Sequence, residues 1–200
     1  MSVRLILASE SPRRLDVLKQ LALRPEVRPA SLDEVLEPGE GPAEHVERLA
    51  RAKAELVALD VPDALVVGGD TIVLRDERVL GKPESEEQAV QMLMSLAGRS
   101  HEVLSGLAVA GAARSVASGV SRTTVRFRDF DRAVAGRYVA SGEPMDKAGA
   151  YGIQGLGAAL VESIDGDYYS VVGFPVALFL KLIERAGWRY DFGRLHRLDT

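Results

Sequence analysis

Residues 65–74, LVVGGDTIVL, constrain this chain more than any other stretch. The run is apolar, short and rich in β-branched side chains, so it reads as a central strand. Gly68 and Gly69 interrupt it, which implies either a bulge or a close approach of another backbone. Asp70 follows at once. Aspartate is depleted in strands and is rarely buried without a partner. Asp70 therefore wants a metal, a cation or a reacting group, or else it caps a bulge or pairs with a buried lysine.

The rest of the chain alternates strand and helix signals around that run. Residues 3–8 form a short apolar strand, followed by Ser11-Pro12 as a helix start, with Leu15, Leu18, Leu21 and Ala22 on one face. Residues 26–29 suggest an edge strand, and acidic residues 32–41 a loop. A helix is expected over residues 42–59, with Lys53 on its apolar face beside Val46, Leu49, Ala50, Ala54 and Val57. That lysine either snorkels to solvent or serves a site. Residues 77–83 read as a turn-rich connection, and residues 84–96 as a helix ending at Gly98. Residues 101–110 and 115–127 read as strands joined by a turn at 111–114. A helix over 131–140 opens on Asp131, residues 143–157 form a glycine-punctuated loop or short helix, and residues 158–164 a strand. Asp165-Gly166 is a turn, residues 176–185 form the last helix, and the polar tail from Trp188 has no clear pattern. The order is that of an α/β fold with a mixed central β-sheet flanked by helices.

Composition limits the function. Two hundred residues suit a single domain over 1–200, with room for two lobes and a central cleft. The net charge of −4 without a basic run argues against a nucleic-acid binder or an anionic membrane surface. The absence of cysteine removes disulfides, thiolate catalysis and cysteine-ligated zinc. No apolar run reaches the ~20 residues of a membrane span, and the first residues lack a secretory core, so a cytoplasmic setting is expected.

Charged groups collect at element ends and in glycine loops: Arg13 and Arg14, Asp33 and Glu34, Asp70, Lys82, Asp146 and Lys147, with Lys53 as a further member. Arginines in a helix's first turn oppose its dipole unless an anion sits there; otherwise they are a solvated pair. Basic groups suit a polyphosphate, and carboxylates suit Mg²⁺ or Mn²⁺ and a positioned water. Neither a P-loop GxxxxGK[ST] nor a GxGxxG follows the first strand. His45, His101 and His196 are scattered and read as surface or core histidines.

Seven blocks, in order, resemble the Maf-like nucleotide pyrophosphatases: LASESPRR (7–14), DE (33–34), RLARAKA (48–54), GGDTIV (68–73), LGKP (80–83), EPMDKAGAYGIQGLGA (143–158) and IDGDYYSVVGFPV (164–176). The resemblance implies a fold similar to the inosine triphosphate pyrophosphatases (Maf/Ham1). It implies hydrolysis of nucleoside triphosphates to monophosphate and pyrophosphate, with a divalent metal and Asp70 as catalytic base. Arg13, Thr71 and Gln154 match the branch acting on dTTP and UTP rather than the one acting on 7-methyl-GTP. A glutamine amide can donate and accept at once, so it can read O4 and N3–H of uracil or thymine. On this reading Glu34 and Asp70 hold the metal, while Ser9, Arg13, Arg14, Lys53, Lys82 and Lys147 hold phosphates. Lys147 and Asp146 read otherwise as a salt bridge that shapes their loop. Gly69 departs from the family's usual alanine, with only a local backbone effect expected. The family further implies a homodimer and a housecleaning role on modified pyrimidine nucleotides. The alternatives are a non-catalytic nucleotide-binding regulator of cell division and septum formation, or a phosphatase releasing single phosphates.

Overall fold

A computed structural model of the protein describes residues 3–111 and 115–198. Its strands are β1 (Arg4–Leu7), β2 (Glu26–Val27), β3 (Ala64–Arg75), β4 (Arg78–Leu80), β5 (Ser100–Ala110), β6 (Val116–Phe127), β7 (Val161–Asp165), β8 (Trp188–Asp191) and β9 (Arg194–Arg197). Its helices are α1 (Pro12–Gln20), α2 (Pro42–Ala58), α3 (Glu86–Leu96), α4 (Arg132–Val139), α5 (Tyr168–Val172) and α6 (Val176–Arg185). The main sheet runs β2-β1-β3-β5-β6-β7, with β4 attached to β3, and is mixed as expected. The chain divides into one unit of Met1–Asp70, Ser105–Ser121 and Gly173–Thr200, and a second of Thr71–Leu104 and Arg122–Val172.

In the first unit, β1 lies parallel to β2 and to β3, with Leu5 opposite Leu65 and Leu7 opposite Val67. That register is regular through Val67, and the two glycines that follow serve a close approach. A methyl at Gly68 would fall on the Ala50 carbonyl and 2.7 Å from Ala54 N, and one at Gly106 would fall on the Val46 carbonyl. Helix α2 thus lies with its backbone almost on the sheet. Its small residues Ala50 and Ala54 join Ile6, Ala8, Val57, Val66 and Ala108 in one buried cluster. Burying a side chain such as Ile6 contributes roughly 2 kcal/mol.

Helix α1 stops at Gln20, so Leu21 and Ala22 lie beyond it rather than on its apolar face. Leu23 N donates to Leu18 O at 2.9 Å and Ala22 N to Lys19 O at 2.8 Å, with Ala22 at φ 55°. This is a Schellman end with alanine where glycine is usual, so the usual stop signal is missing. The polar tail is a hairpin, β8 with β9, turned by Phe192 and Gly193 at positive φ.

In the second unit, β3 folds back on β4 with Val73 opposite Leu80. The expected connection at 77–83 is thus partly strand. Its two-residue turn, Asp76-Glu77, takes positive φ at both positions without a glycine to announce it. Ser85 and Asp131 cap α3 and α4, accepting from Gln88 N and Val134 N. Residues 143–160 contain three 3₁₀ stretches, the last being Leu156–Leu160, so β7 begins three residues later than residue 158. Asp167 opens the unexpected α5 by accepting from Tyr169 N at 2.8 Å. His101, Phe127, Phe130 and Tyr151 form an aromatic core here. The turn expected at 111–114 lies outside the described residues but for Gly111.

Candidate active site

The close seating of α2 on β3 decides the first half of the site. Lys53 points from the buried face of α2 and donates to Asp70 Oδ1 at 2.8 Å. The same Nζ lies 2.5 Å from Glu34 Oε1. The Lys53 and Asp70 side chains are 7% and 10% exposed, whereas that of Glu34 is 56% exposed. Lys53 does not snorkel, and Asp70 has the buried-lysine partner that its place in a strand demanded. Two carboxylates from different segments therefore converge on one cation.

Arg14 reaches the same neighbourhood. Its Nη1 donates to Ser9 Oγ at 2.8 Å and its Nε to Gly173 O at 2.9 Å. Burial of the guanidinium lowers its pKa, while the charges of Asp70 and Glu34 act against that and Arg13 adds to it. Gly69 leaves the space this needs: a methyl there would come within 3.3 Å of Arg14 Nε and 3.0 Å of Leu107 Cδ2. Ser11 occupies the N-cap position of α1, yet its side chain makes no capping hydrogen bond. Instead Ser11 N donates to Ser9 Oγ at 3.2 Å. No acidic residue lies in the first turn, so the turn that carries Arg13 and Arg14 keeps its positive end.

The loop bearing Asp33 and Glu34 is tied down from α2. Arg48 donates to the Val35 carbonyl at 3.0 Å and grips Glu40 through Nε and Nη2 at 2.5 and 2.8 Å. Those bonds hold the Glu40 carboxyl at about 2, with burial opposing and the Glu37 N–H and His45 assisting. His45 thus belongs to this clamp, His101 to the aromatic core and His196 to the terminal hairpin beside Asp191.

The second unit holds Thr71, Lys82, Lys147 and Gln154. Thr71 is half-buried, whereas Lys82 and Gln154 are exposed. Gly149 N donates to Gly81 O at 3.1 Å, which ties the turn carrying Lys82 to the glycine loop. Lys147 Nζ donates to Asp146 Oδ1 at 2.5 Å and to the Glu143 carbonyl at 2.6 Å, the loop-shaping alternative for that pair.

Sequence reasoning passed over Glu143. Its carboxylate accepts from Leu156 N at 2.8 Å, Gly157 N at 3.1 Å and the Tyr138 hydroxyl at 2.8 Å. Burial works against its ionisation, but these donors outweigh burial and hold its pKa below the ordinary value. The signal was present as glycines at 152, 155 and 157. A methyl at Gly155 would strike the Glu143 carboxylate, one at Gly152 would lie 2.7 Å from Lys147 Cε, and one at Gly157 would lie 2.6 Å from the Tyr138 oxygen.

Among the described residues, no three carboxylates or histidines gather closely enough to hold a metal ion by themselves. Glu34 and Asp70 nevertheless fit a magnesium-type ion, which commonly takes one or two carboxylates and fills its shell with water and substrate phosphate. Paired carboxylates, a buried lysine and an arginine-bearing helix start in an α/β sheet have the chemistry that suits phosphoanhydrides. The chain belongs to the Maf-like protein family, whose model matches residues 4–186. It is 49% identical over 182 residues to a dTTP/UTP pyrophosphatase of Moorella thermoacetica, covering 90% of this chain and 93% of that one. It is likewise 49% identical over 185 residues to a dTTP/UTP pyrophosphatase of Symbiobacterium thermophilum, covering 92% and 94%. A solved nucleoside-triphosphatase, a dITP/XTP pyrophosphatase of Mycobacterium abscessus, aligns with TM-score 0.42 and 17% identity over 62% of this chain and 74% of that one.

Proposed function

We propose that the protein hydrolyses dTTP and UTP to the monophosphate and pyrophosphate. The observation that carries this reading is the convergence of Glu34 and the strand-borne Asp70 on Lys53. Near-full-length relatives bearing the name dTTP/UTP pyrophosphatase support the choice of substrate.

In this reading Glu34 and Asp70 hold Mg²⁺ or Mn²⁺, which supplies charge neutralisation at the phosphates when bound. Asp70 orients a water and takes its proton as the water's oxygen bonds to the α-phosphorus. The bond from the α-phosphorus to the bridging oxygen breaks, and pyrophosphate leaves with that oxygen. Arg13, Arg14 and the start of α1, with Ser9, grip phosphate oxygens. Lys53 sits beside the attacked phosphate, and Lys82 and Lys147 neutralise charge on the leaving group. Arg13, Thr71 and Gln154 select the base, with the Gln154 amide pairing to O4 and N3–H of uracil or thymine. Positioning and fixed charge account for most of the rate. The same reading takes the protein to work in the cytoplasm as a homodimer. Among the described residues no helix is long and apolar enough to cross a membrane.

The test is to incubate the protein with nucleoside triphosphates and Mg²⁺ and to assay pyrophosphate and orthophosphate separately. Pyrophosphate from dTTP and UTP is expected. Orthophosphate alone would sink the pyrophosphatase reading, and no turnover would leave a binding regulator.

A further inference from the structure

We propose that Glu143 is a positioning residue for base selection, acting as the peg on which the Gln154 loop is hung. The proposal rests on the reading that Gln154 contacts the base. Gln154 is exposed and lies between Gly152 and Gly155 in a stretch of chain without α-helix or strand. A side chain that must discriminate by hydrogen bonding needs a backbone that does not move, because a shift of a fraction of an ångström lets the wrong base pair as well. Loops rarely supply that by themselves.

Here the fixing comes from one carboxylate. Glu143 Oε2 accepts from Leu156 N, and Oε1 accepts from Gly157 N and from Tyr138 Oη. Tyr138 Oη in turn accepts from Gly152 N at 3.0 Å. Backbone donors on both sides of Gln154, at positions 152, 156 and 157, are thereby tied to a single pair of side chains. Tyr138 comes from helix α4, so the peg is anchored in regular structure. On the opposite side the Glu143 carbonyl receives Lys147 Nζ. The glycines at 152, 155 and 157 have the room that the peg requires, since a methyl at any of them would collide with Lys147, Glu143 or Tyr138. A loop merely needing flexibility has no reason to place its glycines where Glu143, Tyr138 and Lys147 press.

The tests are Glu143→Gln and Tyr138→Phe. The glutamine amide turns an N–H₂ toward a backbone N–H, so one loop bond is lost while size is kept. The readouts are kcat/KM for UTP and for CTP, with the melting temperature recorded beside them. Glu143→Gln is expected to lower the UTP-over-CTP preference about tenfold while kcat for UTP stays within about threefold. Tyr138→Phe removes both a donor to Glu143 and the acceptor for Gly152 N, and is expected to shift the same ratio about tenfold. It also stands in should the glutamine variant not fold. In a Gln154→Ala background, Glu143→Gln is expected to change the ratio no further. An unchanged ratio in either folded variant, or an additive loss in the double variant, overturns the inference. Should Gln154→Ala affect the preference while Glu143→Gln does not, this inference alone falls. Should Gln154→Ala leave the preference intact, base reading by Gln154 falls, and the peg with it.

Discussion

The charge cluster around Asp70 and the loop around Gln154 are built in opposite ways. Lys53 and Asp70 meet because α2 is seated on β3 through Gly68 and on β5 through Gly106, so their geometry is a by-product of core packing. Gln154 sits on irregular chain held by hydrogen bonds to Glu143 and Tyr138. Chemistry assigned to the first demands fixed charge, which rigid elements supply. Selection assigned to the second demands a surface that relatives can vary without disturbing the core, which loops supply. Damage to the first region should remove rate or stability together for every nucleotide, whereas damage to the second should change preference.

The largest effect is expected at the carboxylate given the role of base. Asp70→Asn should cut turnover of UTP about 10³-fold or more, with calorimetric binding of UTP within severalfold of the parent. An active Asp70→Asn protein would refute that role. Next comes its partner. Lys53→Met leaves Asp70 buried and unpaired, which costs about 3–5 kcal/mol in denaturant unfolding. The equivalent change in the other region, Lys147→Met, breaks bonds to the largely exposed Asp146 carboxylate and to the Glu143 carbonyl, and should cost about 1–2 kcal/mol, less than Lys53→Met. Equal losses at the two lysines would erase the contrast between the regions.

The aromatic core beneath the loop has its own signature. Burial, with the nearby Arg75 charge, holds the His101 pKa down to about 4, from an ordinary 6.5. Below pH 6.5 the unfolded chain takes up a proton that the folded one refuses, so stability falls as pH drops towards 4. The loss approaches about 3 kcal/mol at most. Replacing both hydrogen-bonded partners, His101→Phe with Tyr151→Phe, should flatten the urea midpoint across that window. Persistence of the full slope would assign it to other groups.

The smallest effects separate two adjacent glycines. Gly68→Ala sets a methyl against the α2 backbone, which cannot yield, and should cost about 2 kcal/mol or more. Gly69→Ala meets the ends of Leu107 and Arg14, which can shift, and the Gly106 carbonyl only at 3.3 Å, and should cost about 1 kcal/mol, less than Gly68→Ala.

These contrasts also explain what could be read from the chain alone. The central strand, the buried face of α2, the Asp131 cap and the start of α6 follow from periodicity and capping residues, and the structure has them. Asp70 stood out because a charge in an apolar strand needs a partner. Strand β4, the β8–β9 hairpin and the end of α1 lie where Asp76, Glu77, Phe192 and Ala22 take positive φ, a conformation that Glu, Phe and Ala do not advertise and that Asp signals only weakly. Glu143 was missed for a different reason. Its partners are backbone N–H groups thirteen and fourteen residues away, and main-chain donors leave no trace in a pattern of side chains. Only the glycines that make room for it hinted at its place.

The most direct test of the division between chemistry and selection is the specificity profile of Gln154→Ala. It compares kcat/KM for UTP, dTTP, CTP and GTP with those of the unaltered protein. The expected result is a loss of at least about tenfold in the preference for UTP and dTTP, with kcat for UTP kept within about threefold. A uniform fall for all four nucleotides would contradict it, because the loop would then share in the chemistry assigned to Asp70.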